Sequence, residues 1–153
     1  MRGQKAPKRG RCAFFLQKRS EKFARLIDFA GIDLYTGELA LTKIGAAASF
    51  IRTRKDVRCL SQSSLPAGVD TDQVPEPQNE KLGNGDFLVM VTDGVLEYLH
   101  VKNPEEAFSD MIREIKTDNA GVLANTLMEQ VMRYTGGHVP DDMTIVVTGI
   151  WEK

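Results

Sequence analysis

Phe87-Leu88-Val89-Met90-Val91-Thr92-Asp93-Gly94 is the stretch on which the fold turns. Phe87 to Val91 is an unbroken apolar run of strand length. It lacks the alternation of a half-buried strand, so it reads as a strand covered on both faces. It ends abruptly in Asp93-Gly94. Asp and Gly are favoured turn residues, and a plain turn is one reading. The other is functional: the strand carries a carboxylate to its tip, where the glycine lets a metal or phosphate approach closely.

Downstream of this strand, Val95 to Leu99 fits a helical turn. Asn103 and Pro104 then form a helix start, an N-cap followed by a proline at the first helical position. Glu105 and Glu106 lie in its first turn, where the helix dipole favours acids. Ala107, Phe108, Met111, Ile112 and Ile115 recur at helical spacing. A second helix is predicted over 120–134, with Val122, Leu123, Leu127, Val131 and Met132 as its apolar stripe and Gly136-Gly137 as its stop. The predicted helical layer covers residues 104–135. Met143 to Ile150 is β-branched and apolar and reads as another buried strand.

Upstream, a strand over 25–34 meets a turn at Tyr35-Thr36-Gly37-Glu38, with glycine supplying the positive φ of a tight reversal. Glu38 to Ile44 pairs back as a hairpin, with Ile44 one position off the alternation. Residues 49–52 and 57–60 flank a further turn. The polar stretch Asp70–Asn79, with Pro75 and Pro77, reads as loop with a short edge strand. Successive short strands joined by turns indicate an antiparallel meander, and the fold class is α+β.

The chain has 153 residues, 42% hydrophobic and 27% charged, the composition of one ordinary globular domain. Its net charge of -1 conceals an asymmetry: residues 1–25 carry a balance of +8 and the remainder -9. Residues 1–22 read as a basic, disordered leader and residues 23–153 as the folded domain. Phe14-Phe15-Leu16 is too short for a signal-peptide core or a membrane span. An arm touching nucleic acid or anionic lipid is the alternative. Aromatics interleaved with base-reading residues are lacking, and no nucleic-acid partner is expected. Cys12 and Cys59 make no disulfide framework, which favours a reducing, cytoplasmic setting. His100 and His138 lie far from each other and from both cysteines, which argues against zinc.

Two apolar strands thus have acids at one end: Asp93 follows its strand, and Asp141-Asp142 precede theirs. If the strands are antiparallel neighbours, these ends meet. Carboxylates held close together repel unless a cation sits among them. Such oxygen donors suit Mg²⁺ or Mn²⁺. A solvated turn at Asp141-Asp142 is the competing reading.

Several segments then stand in a characteristic order: Ile32-Asp33-Leu34-Tyr35-Thr36-Gly37-Glu38, Lys43-Ile44-Gly45, Leu65-Pro66-Ala67-Gly68, Val91 to Glu97, and Asp141 to Val147. Over Phe23 to Ile150 they resemble the metal-dependent type 2C (PPM) serine/threonine phosphatases of the sporulation stage II protein E type. The resemblance implies a two-sheet β sandwich flanked by helices. It implies two manganese or magnesium ions, with Asp93 and Asp141 as metal ligands and Asp142 in a variable position. It also implies hydrolysis of phosphoserine or phosphothreonine on a regulatory protein such as an anti-sigma-factor antagonist. The family's first metal motif, an Asp-Gly-Met-Gly turn, has no counterpart in this sequence. The expectation is therefore a partial PPM fold, without the first strands and helices and with an incomplete metal site. An uncovered sheet face would then support a homodimer or strand-swapped assembly. A non-catalytic interaction module on the same fold is the alternative function.

Overall fold

The computed structural model describes residues 11–19, 25–62, 64–65, 75–136, 139 and 141–151. Among these residues, eight strands and three helices make two four-stranded antiparallel sheets and one helical layer. The first sheet has the order β1-β2-β3-β6: β1 (Arg11–Arg19), β2 (Arg25–Asp33), β3 (Glu38–Ile44) and β6 (Gln78–Lys81). The second has the order β5-β4-β7-β8: β4 (Ser49–Arg52), β5 (Val57–Leu60), β7 (Phe87–Val91) and β8 (Ile145–Gly149). The helices are α1 (Asp93–Glu97), α2 (Pro104–Glu114) and α3 (Ala120–Tyr134).

Strand β1 corrects the expectation of a disordered leader. Residues 11–19 pair along their whole length with β2, from Arg11 opposite Asp33 to Arg19 opposite Arg25. The net charge of the segment concealed Cys12-Ala13-Phe14-Phe15-Leu16, a short apolar run of strand length. The same strand places folded chain upstream of residue 23, where the domain was expected to start. The rest of the proposed leader, residues 1–10 and 20–22, lies outside the described residues. So does most of Leu65-Pro66-Ala67-Gly68.

The β2–β3 hairpin forms as its turn residues require. Gly37 has φ +71°, and Asp33 accepts from the N–H groups of Tyr35 and Thr36. The helix starts follow the same local chemistry. Asn103 caps α2 by accepting from Glu106, and Asn119 caps α3 by accepting from Val122 at 3.0 Å. Strand β7 is buried at all five positions, because it has β4 and β8 beside it and a packed layer on each face. Strand β8 departs from the expected burial. It lies at the sheet edge and is only partly covered.

Two cores result. Between the sheets, Ala30, Ile32, Leu39 and Leu41 from one side meet Ile51, Leu60, Leu88 and Met90 from the other. On the far face of the second sheet, Phe50, Phe87, Val89 and Val91 pack against Phe108, Ile112, Leu123, Leu127 and Val131. Each of these side chains larger than Ala30 contributes roughly 1.5–3 kcal/mol by leaving water.

Candidate metal centre

The antiparallel pairing of β7 and β8 sets Val91 opposite Ile145. The exit of β7 and the entrance of β8 therefore meet at one end of the sandwich. Backbone and side chain fasten the junction. The Thr92 N–H donates to the Thr144 carbonyl at 3.1 Å. The Thr92 hydroxyl donates to the Asp142 carbonyl at 3.2 Å and accepts from the Thr144 N–H at 2.9 Å. Gly94 lies so close that a Cβ there would stand 2.8 Å from the Asp142 carbonyl oxygen.

This fastening brings the Asp93 and Asp141 segments side by side, though the two acids are 48 residues apart in sequence. Asp93 is the first residue of α1 and half-buried, and its Oδ1 accepts from the Gly94 N–H at 3.0 Å. Asp141 is also half-buried, and its Oδ1 accepts from the Asp142 N–H at 2.7 Å. Asp142 is exposed. Carboxylate oxygens are donors of the kind manganese and magnesium prefer. Among the described residues, no group of three or more His, Cys, Asp or Glu side chains converges on one point. Asp93 and Asp141 present donors of that type at this end of the sandwich.

A buried ionic cluster lies at the same end of the sandwich and was not anticipated from sequence. Asp28 and Lys43 face each other across β2 and β3. The Lys43 ammonium donates to Asp28 Oδ2 at 2.6 Å, to the Ala47 carbonyl at 2.6 Å and to Ser49 Oγ at 2.7 Å. Burial pushes the Lys43 pKa below the usual lysine range, against the opposing pull of the Asp28 charge. The signal was legible. Inward positions Ala30 and Ile32 extend by two to Asp28, and Leu39 and Leu41 extend by two to Lys43. The break in alternation at Ile44 marks Lys43, not Ile44, as the inward residue.

The loop that Lys43 holds, Ala46 to Ala48, forms one wall of an open cavity of about 400 Å³ beside Asp93. Glu97 and Glu105 line the same cavity, giving it an acidic rim. The Cys59 thiol is pushed up to about 11, first by burial and then by the Glu105 charge, so it stays a protonated thiol at neutral pH. His100 is exposed, and His138 lies outside the described residues.

The family model for stage II sporulation protein E matches residues 12–150. This chain belongs to the stage II sporulation protein E family. Stage II sporulation protein E of Bacillus subtilis (strain 168) is 32% identical over 134 residues, which are 87% of this chain and 16% of that protein. Two solved structures of the B. subtilis protein share the fold. One, of the PP2C phosphatase domain with a fragment of the regulatory domain, has a TM-score of 0.78 at 32% identity, over 84% of this chain and 38% of that one. The other, of the phosphatase domain presoaked with manganese, has a TM-score of 0.74 at 31% identity, over 84% of this chain and 57% of that one. This member of the stage II sporulation protein E family thus spans about a sixth of the curated relative and has the fold of part of a PP2C phosphatase domain. No helix among its described residues is long and apolar enough to cross a membrane.

Proposed function

We propose that this chain provides the Asp93 and Asp141 portion of a metal-dependent serine/threonine protein phosphatase. In this reading the two carboxylates hold a manganese or magnesium ion. The substrate is a phosphoserine or phosphothreonine on a regulatory protein such as an anti-sigma-factor antagonist, in the cytoplasm. The observation that carries the reading is the Thr92 clamp, which joins the two acid-bearing segments at one end of the sandwich. A bound ion would supply Lewis acidity and an activated water. The protein's part is to hold the carboxylates at adjoining strand ends and to present an acidic cavity beside them.

Two carboxylates alone make a weak site, so this chain by itself is expected to bind Mn²⁺ weakly and to hydrolyse p-nitrophenyl phosphate slowly or not at all. Calorimetric titration with Mn²⁺ tests this. Weak binding that disappears in both Asp93→Ala and Asp141→Ala supports the ligand assignment. Binding unchanged in both variants overturns it, and tight binding of two ions overturns the incomplete site.

A second reading, an interaction module, draws on the outer face of the first sheet. Phe29 is 41% exposed there and, with Gly31 and Ala40, lines a broad hollow of about 870 Å³. Asp33, Glu38, Glu80 and Lys81 also line it, and apolar surface rimmed by charges is a typical contact site; a second copy of the chain is the proposed occupant. Light scattering should then report a dimer, and a monodisperse monomer removes this reading.

A further inference from the structure

Asp28 is 1% exposed, yet only one of its oxygens is satisfied. Oδ2 accepts from Lys43 at 2.6 Å and from Ser49 at 2.9 Å. Oδ1 has no hydrogen-bond partner among the described residues. Leaving a buried carboxylate oxygen unpaired is unfavourable, and native structures almost always supply a donor. Asp28 also lines a small cavity of about 20 Å³ together with Thr92 and Asp93, its other walls being Leu26, Ala46, Ala47 and Val91. That is room for a single water, for which Asp28, Thr92 and Asp93 are the polar residues of an otherwise apolar lining. Asp28 and Asp93 both line this space, and a carboxylate is an acceptor. The group that joins two acceptors is a donor with two hydrogens, and a water molecule is the one that fits this space. The Lys43 charge makes a second carboxylate tolerable so close by.

We propose that Asp28 is a positioning residue for Asp93, acting through one ordered water that donates a hydrogen bond to Asp28 Oδ1 and another to the Asp93 carboxylate. The water ties the orientation of Asp93 to the cluster that also fixes the Ala46–Ala48 loop. Its effect on an ion rests on the ligand assignment proposed above; the water and the carboxylate orientation do not.

The test compares the parent chain with the double variant Asp28→Leu/Lys43→Met, which removes Oδ1 and the ion pair together and replaces them with apolar groups of similar size. High-resolution crystal structures of both, without metal, should show the water in the parent. In the variant they should show no water and a reoriented or less ordered Asp93 carboxylate. A dry cavity in the parent, or an Asp93 unchanged in the variant, overturns the proposal. Calorimetry with Mn²⁺ should give a Kd about 10- to 100-fold weaker in the folded variant, the usual effect of losing a group that orients a ligand. An unchanged Kd overturns the positioning role. Should the parent bind no Mn²⁺, the ligand assignment of Asp93 fails, and the proposal is decided by the water and the carboxylate orientation alone. If the double variant does not fold, the parent structure decides: a water within hydrogen-bond distance of both Asp28 Oδ1 and the Asp93 carboxylate supports the proposal, and a dry cavity overturns it.

Discussion

The two cores of this molecule are built on different terms. The one beneath α2 and α3 is a cluster of apolar side chains, with Phe50 and Phe108 in tilted contact at 5.1 Å. The one between the sheets is apolar through most of its length but ends in Asp28, Lys43 and Ser49. Apolar burial is non-directional and tolerates adjustment among many partners. A buried ion pair stabilises little or nothing relative to an apolar pair of the same shape, but losing one partner strands the other. The difference shows which core gives stability and which gives position. The helical side holds the fold together, and the ionic end between the sheets fixes a loop and a strand terminus beside Asp93.

Breaking the ionic end asymmetrically should give the largest effect. Lys43→Met strands Asp28 and is expected to destabilise by about 3–5 kcal/mol in chemical denaturation. Adding Asp28→Leu should recover most of the loss. A double variant as unstable as Lys43→Met alone would show that the cluster stabilises as well as positions. In the helical core, Leu127→Ala should lose about 2–5 kcal/mol with no single compensating change, because its contacts are spread over many neighbours. The smallest effect is expected at the partly exposed pair Arg58–Glu80, which joins β5 to β6 at 2.9 Å across the sheet edges. Arg58→Ala should change stability by less than about 1 kcal/mol, and less still in high salt. A larger, salt-independent loss there would mean that this pair resembles the buried one after all.

Much of this was readable in the chain itself. The uniform apolar character of Phe87–Val91 reported a doubly covered strand, and Asn103-Pro104 placed the start of α2, because both signals are local. The meeting of the Asp93 and Asp141 segments was readable only as a conditional, since strand pairing across some fifty residues is a tertiary fact. Strand β1 was missed because its basic charge outweighed a five-residue apolar run in the reading. Lys43 was missed for a similar reason. A charged residue on an inward face looks like an error of register until its partner across the hairpin is seen. The Asn119 cap of α3 is a local signal too, an Asn three residues ahead of the Val122 N–H it accepts from.

The bare Cα of Gly94 limits how this end of the molecule can vary. Opposite it, at 2.8 Å from where a first side-chain carbon would begin, is a main-chain carbonyl rather than a yielding side chain. Even a methyl group would act as a wedge, prising the loop ahead of β8 away from the tip of β7. At that one place the nearness of two acids is guarded by the smallest residue available.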